Sequence, residues 1–384
     1  MAKALKKKTI RRTGCGQDEA GNWYVEIQAK DPSGRPAKWC FSMAALSRDE
    51  KPLWEFLGSK GHIISQRQRP QLRHVLLGLP GKNPDFAMAT MMGWHEGAFV
   101  TPHDIYGDPN DRVHAQFPEA LDRRKWEPRG ELSRWRTEIA GICRGNPLLR
   151  FAVMVAFVPP VLRLLGLPTV GFSWVGDPSL GKSSALALAG SVWGGNPERP
   201  MGFCETLLKT ANAFDKVGRR YRHTFLPMDE AHLASAQTLA DLVHRLAAGE
   251  SKETAIGETL PTHTSLVYVL TSNQPLAEIL IKHKVHFDES YNARLIEIPV
   301  VKPRGMFHRL PNDLTAHDFA GRIAKAVTDQ YGTAIDRYLT KLTSEYAEDK
   351  DALITWLRAR MAWMERRLAI NGNIPGEARR GQYF

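Results

Sequence analysis

The sequence predicts an α/β fold: a central parallel sheet flanked by helices, preceded by a smaller mixed α+β region and followed by helices. Three observations carry this expectation. Short apolar runs at 170–175, 224–228, 266–270 and 295–300 alternate with helical stretches. Near the amino-terminal end, Trp23, Val25 and Ile27 alternate with Tyr24, Glu26 and Gln28, the period of a half-buried strand. Near the carboxyl end, Phe319, Ile323, Val327, Tyr331, Ile335, Leu339 and Leu342 step by three or four, the period of an amphipathic helix. The expected divisions are a basic arm at 1–13, an α+β domain at 14–145, a core at 146–310 and a helical region with a basic tail at 311–384.

Each element has a local reason. Asp31-Pro32-Ser33-Gly34 is a turn, and a second strand through Trp39 and Phe41 completes a hairpin. Ser47-Arg48-Asp49-Glu50 reads as a capping box, with Pro52 in the first turn and Leu53, Trp54 and Leu57 facing inward. Residues 78–130 are rich in Gly, Pro and Asp and read as short strands with loops. Leu132, Trp135, Ile139 and Ile142 recur at helical spacing, and Asn146-Pro147 is a cap and first turn for a helix that Pro159-Pro160 ends or kinks. The long carboxyl-terminal pattern is expected to break at Gly332, and a last helix lies around Trp356–Leu368.

Composition bounds the function. With 384 residues, 43% hydrophobic and 24% charged, the chain is neither a disordered tail nor a coiled-coil rod. Cys15, Cys40, Cys143 and Cys204 form no C-x-x-C pair, so neither a zinc ribbon nor a disulfide scaffold is expected, and a reducing cytoplasm is. The net charge of +11 is concentrated at the ends: residues 1–13 contribute +6 and residues 355–384 contribute +4. Lys6, Lys7 and Lys8 are therefore candidate contacts to a polyanion such as DNA. No apolar segment follows the first charges, so a signal peptide is not expected. Arg150, Pro159, Pro160 and Arg163 interrupt the apolar stretch from Leu148 to Val175, which reads as a buried helix rather than a membrane span.

The chemistry centres on Gly176-Asp177-Pro178-Ser179-Leu180-Gly181-Lys182-Ser183, with Ser184 following, which fits G-x-x-x-x-G-K-[ST] between an apolar strand and an Ala/Leu-rich helix. The glycines let the backbone wrap closely, and successive N–H groups point at phosphate oxygens. The helix start adds positive potential. Lys182 is expected to reach the β- and γ-phosphates of ATP, and Ser183 to supply an oxygen to Mg²⁺. Thr224-Phe225-Leu226-Pro227-Met228-Asp229-Glu230 is a second strand ending in acids: Asp229 for the metal, Glu230 as the base for the attacking water. Pro227 weighs against this strand, since it cannot donate a ladder hydrogen bond.

Two further positions follow the pattern of AAA+ ATPases. Asn273, with Thr271 and Ser272 close behind, closes the strand at 266–270 where a residue senses the γ-phosphate. Arg294 precedes the last strand, where an arginine finger reaches the nucleotide of a neighbouring subunit. Between the acidic and sensor strands lies a loop, Gly249–Thr254, in which Lys252, with His263, is a candidate nucleic-acid contact.

The string around the phosphate loop, continuing through Ala189-Gly190-Ser191-Val192-Trp193-Gly194, resembles the domain of unknown function 927 family, P-loop proteins of phages, plasmids and integrated elements often described as helicases. Gly93-Trp94, Gly130 and Trp135, Gly145-Asn146-Pro147, Asp229-Glu230 and Ala248–Lys252 extend the resemblance over most of residues 20–340. Ser183 stands where Thr is common, and Glu253-Thr254 follow Lys252 where a basic residue is expected. The resemblance implies a P-loop, AAA+-like core and a role in replication or mobility of a genetic element.

The expected function is therefore a Mg²⁺-dependent ATPase acting as a DNA helicase or translocase, assembled as a ring with a hexamer favoured. Single-stranded DNA is the expected partner, with a primase or replication initiator beside it and no membrane. The alternative is an ATP-switched DNA-binding or helicase-loading protein without unwinding activity. A small-molecule kinase is a third reading, against which the separate amino-terminal region counts.

Overall fold

Alternation of the kind seen at residues 23–28 needs a cover over its apolar face, and the helices that follow supply it. In the computed structural model, which describes residues 10–30, 34–78, 81–117, 121–206, 217–248, 264–311 and 314–369, thirteen strands form three sheets. The first strand is β1 (Arg11–Gln17), followed by β2 (Trp23–Lys30), β3 (Pro36–Ser42) and β4 (Phe86–Ala89). Next come β5 (Gly93–His95), β6 (Ala98–Val100), β7 (Ile105–Tyr106) and β8 (Val113–Ala115). The remaining strands are β9 (Val170–Val175), β10 (Glu205–Thr206), β11 (Phe225–Asp229), β12 (Val267–Ser272) and β13 (Leu295–Pro299).

The chain divides into two compact units, one drawn from residues up to Thr90 with Asp108–Pro118, the other from Met91–Gly107 and from Glu119 onward. In the first unit the strand order is β3-β2-β1-β4-β8. The β2–β3 hairpin has Tyr24 opposite Ser42 and Lys30 opposite Pro36. Val25, Ile27 and Ala29 of β2 pack with Leu46, Leu53, Trp54 and Leu57 from the helices Met43–Arg48 and Lys51–Ser59, so the apolar face of the alternating strand is covered. The expected capping box is corrected here. Ser47 lies inside helix Met43–Arg48 and donates back to the Ala44 carbonyl at 2.8 Å, and the helix that holds Pro52 has Glu50 at its N-cap with no side-chain cap, while Ser42 caps the earlier helix by accepting from the Ala45 N–H at 3.3 Å. Asp49 accepts from the Lys51 N–H at 2.8 Å, and Pro52 does sit in the first turn of the second helix.

The second unit holds the small β5-β6-β7 sheet and a parallel sheet of order β10-β11-β12-β9-β13, whose described pairings are all parallel. β9 and β12 are buried along their whole length, as a sheet covered on both faces requires. Helix Lys182–Gly190 packs on β11, β12 and the helix Pro147–Val155, and helix Ala236–Ala248 packs on β9 and the helix Leu276–Lys282. Pro227 fits β11 because of the direction its nitrogen faces. The Thr224 carbonyl accepts from Val267 of β12, so even-numbered residues of this strand face β12 and Pro227 faces the other edge. There β10 is only two residues long and pairs with Met228 and Asp229 alone.

The apolar stretch after Asn146 forms two helices, Pro147–Val155 and Pro159–Leu165, bent by 57°. No single helix among the described residues is long and apolar enough to cross a membrane. Asn146 does not cap with its side chain; its amide instead exchanges hydrogen bonds with the Arg309 backbone, at 2.7 and 2.9 Å. The long carboxyl-terminal pattern is two helices, Ala316–Asp329 and Thr333–Glu348, broken where Gly332 takes φ +74°. A Cβ there would also lie 2.8 Å from Pro128 Cα. Gly332→Ala is therefore expected to cost about 1–3 kcal/mol, measured by chemical denaturation, whereas Gly321→Ala, in open space on helix Ala316–Asp329, is expected to be neutral or stabilising.

Candidate functional site

The carboxyl ends of β9, β11 and β12 open onto one cleft of about 600 Å³. Ligands of parallel sheets bind outside such strand ends, where connections from neighbouring strands diverge. Here β9 leads into the loop 176–181 and then into helix Lys182–Gly190. The loop turns tightly through two left-handed residues, Ser179 at φ +65° and Gly181 at φ +84°. A Cβ on Gly181 would press on the Phe307 ring at 2.8 Å, and one on Gly176 would lie 2.1 Å from the Val300 carbonyl oxygen. The two glycines thus allow close approach of backbone to its surroundings, as well as an unusual φ at Gly181.

Lys182 is buried, at 7% exposure, and its ammonium is held by its own loop. Nζ donates to the carbonyls of Gly176 at 2.5 Å and Asp177 at 2.7 Å, and to Asn273 Oδ1 at 3.2 Å. Burial pushes its pKa down, while Asp229 and Asp177 pull it back up. Asp177 itself is exposed and holds Lys302 at 2.9 Å, which draws its carboxyl below the usual range.

The acids sit one strand away. Ser183 Oγ donates to Asp229 Oδ1 at 3.3 Å. Thr271, buried on β12, donates its hydroxyl to the same Oδ1 and accepts from the Glu230 backbone N–H at 3.0 Å. One hydroxyl therefore ties the ends of β11 and β12 together. Glu230 is exposed to the cleft and adopts φ +57°, a left-handed conformation that is uncommon outside glycine. Strain of this kind needs over-determined surroundings, which the bond to Thr271 supplies.

The cleft lining brings together Pro178, Ser179, Leu180, Gly181, Lys182, Ser183 and Ser184 with Asp229, Glu230 and Asn273, and the carbonyls of Gly176 and Asp177 reach it through Lys182. Arg294 is not there. Leu295 pairs with Gly171 at the start of β9, so Arg294 lies at the opposite end of the strands, its guanidinium donating to the Ser290 carbonyl at 2.9 Å. Lys6, Lys7, Lys8, Lys252 and His263 fall outside the described residues. Phe307 and His317 line the cleft without any sequence signal, because they come from beyond β13 and belong to no motif. Thr271, ranked behind Asn273 by its place in the strand, is the residue whose bonds reach both acids.

The hydroxyl of Thr271 makes a specific expectation. Thr271→Val, equal in shape but without the hydroxyl, is expected to lose about 1–3 kcal/mol of stability by denaturant titration, and Thr271→Ser to recover most of it.

The structure superposes on a solved structure described as SCCmec type IV Cch, an active helicase, with TM-score 0.62 and 20% sequence identity over 94% of this chain and 64% of that one. This chain thus spans just under two thirds of that neighbour's length, and the likeness is one of fold. A second solved structure, the apo A form of the NrS-1 C-terminal region, aligns over 83% of this chain and 69% of that one at 12% identity and TM-score 0.31, too low to carry an argument. No curated protein matches by sequence. The family described as Domain of unknown function (DUF927) matches residues 9–258, well over half of the chain, and the protein belongs to that family.

Proposed function

We propose that this protein is a Mg²⁺-dependent ATPase that drives a helicase- or translocase-like motor on DNA for a mobile genetic element. The observation that carries the reading is the convergence of Lys182, Ser183, Asp229, Glu230 and Asn273 on one cleft at the strand ends. The fold likeness to the SCCmec helicase supports it.

The residues fit a triphosphate with a hard cation. Ser183 Oγ and Asp229 Oδ1 form a close oxygen pair of the kind Mg²⁺ takes, and the loop presents backbone N–H groups at a helix start. ATP bound here supplies a phosphoanhydride for transfer to water, with the cation offsetting its charge. Lys182 exchanges its two loop carbonyls for phosphate oxygens, which removes the mismatch between a buried ammonium and neutral acceptors. Glu230, exposed to the cleft, accepts the proton of the attacking water. Asn273, released from Lys182, orients that water or the terminal phosphate. Thr271 is a positioning residue that keeps Asp229 and Glu230 in place.

Arg294 acts only between subunits in this reading. Its place at the far strand ends removes it from its own cleft, so a ring, with six subunits favoured, brings it to a neighbour's nucleotide. The basic residues Lys6, Lys7, Lys8 and Lys252 contribute sequence-independent phosphate contacts to single-stranded DNA, and a primase or initiator completes the replication assembly.

The test is ATP hydrolysis with and without single-stranded DNA. The wild type is expected to hydrolyse ATP faster with DNA, Glu230→Gln to bind ATP but turn over about 100-fold or more slowly, and Lys182→Ala to lose nucleotide binding. DNA binding with ATP bound but never hydrolysed would contradict the motor and favour an ATP-switched loader. Stimulation by a small phosphate acceptor instead of DNA would favour a kinase.

A further inference from the structure

The first unit carries a cluster of metal-ligating side chains. Glu26 of β2 and Cys40 of β3 are direct cross-strand partners, so their side chains leave the same face of the sheet. β8 stands at the other end of the strand order, yet the sheet curls until His114 of β8 meets them. His114 Nδ1 lies 3.2 Å from Glu26 Oε1 and 3.6 Å from Cys40 Sγ. All three ligand atoms lie within 4.8 Å of one another.

The separations match a tetrahedral ion. With zinc bonds of about 2.0–2.1 Å to nitrogen, about 2.1 Å to oxygen and about 2.3 Å to sulfur, tetrahedral edges come to about 3.4 Å for N···O and about 3.6 Å for N···S. The remaining atoms of each ligand are already engaged. Thr13 Oγ1 donates to Glu26 Oε2, and His114 Nε2 is 3.3 Å from the Asp111 carbonyl. A proton on Nε2 leaves the Nδ1 lone pair facing the carboxylate, the arrangement that outer-shell partners impose on metal-binding histidines. The His114 ring is also stacked on Phe86 at 4.2 Å, and Phe86 fits because a Cβ on Gly16 would come within 2.3 Å of it.

Glu26 is the buried member of the cluster, at 4% exposure, and its Oε1 faces His114 Nδ1 at 3.2 Å. Lys38 Nζ approaches Oε1 at 3.4 Å from the rim, but it is already held by Asp111 at 3.2 Å and is 44% exposed. An entering cation therefore displaces Lys38 onto a partner it already has. Burial, with the neighbouring Glu26 carboxylate, pushes the Cys40 thiol up to about 12, a cost that a bound cation has to offset.

We propose that Glu26, Cys40 and His114 bind one divalent transition ion of the zinc class, with a fourth position open to water, fastening β8 to the β2–β3 hairpin. A thiolate, an imidazole and a carboxylate in a small tetrahedral space select this class over Mg²⁺ or Ca²⁺. On binding, the Cys40 thiol proton leaves to solvent and the sulfur bonds to the ion without any redox change.

The test uses the full chain, stripped with chelator and titrated with Co²⁺. One equivalent is expected to produce a thiolate-to-cobalt absorption band that Zn²⁺ bleaches. Cys40→Ser is expected to abolish the band, and His114→Gln to weaken binding by more than the ~10–100-fold that loss of an outer-shell partner costs. Lys38→Met, at an exposed position that does not threaten folding, is expected to tighten Co²⁺ binding, and Asp229→Asn to leave the band unchanged. No band in the wild type, or a band that survives Cys40→Ser, would overturn the proposal.

Discussion

A buried ammonium is the constraint on which the cleft depends. Lys182, 7% exposed, cannot keep its charge without acceptors, and none of them comes from its own helix. They come from the loop before it and from the end of β12. The loop is therefore wrapped around a charge, and β12 is registered against the loop by the same charge. Asp229 completes the arrangement as the carboxylate that most favours the charged lysine, ahead of Asp177. Removal of Lys182 would leave loop carbonyls and an acid pair without the positive centre they face.

The second tie is neutral. Thr271 links Asp229 and the backbone of Glu230, so the ends of β11 and β12 move together. Between them, Lys182 and Thr271 relate three strands whose sequence positions span about a hundred residues. The parallel sheet supplies the geometry, since each of these strands delivers its last residue to the same edge. Arg294 makes the complementary point: it precedes its strand instead of following it and so arrives at the other edge.

Much of this was legible in the chain, for reasons that differ by element. The runs at 170–175, 224–228 and 266–270 are strands that a doubly covered sheet buries, the run at 295–300 is its edge strand and tolerates Glu297, and the phosphate-loop pattern is written in consecutive residues. β1 was not legible: Arg-Arg-Thr-Gly-Cys-Gly-Gln has two glycines and no alternation, and it becomes a strand only through β2 and β4. The short helix Met43–Arg48 was not legible, because its six residues place Ser47 inside a helix instead of at the start of the next one. Phe307 and His317 reach the cleft by tertiary packing alone. The cluster of Glu26, Cys40 and His114 was illegible for the same reason. The cysteine spacing bears only on ribbons with paired cysteines, and it says nothing of ligands that a curled sheet gathers from β2, β3 and β8.

In the proposed function, the cleft at the ends of β9, β11 and β12 takes the phosphates of ATP with a metal ion. The direct measurement is the structure of the full chain with Mg²⁺ and a non-hydrolysable ATP analogue. We expect the triphosphate in the loop 176–183, with Lys182 Nζ on phosphate oxygens instead of the Gly176 and Asp177 carbonyls, and the metal beside Ser183 and Asp229. A nucleotide seated elsewhere, or Lys182 still bonded to its own loop with the analogue bound, would contradict it.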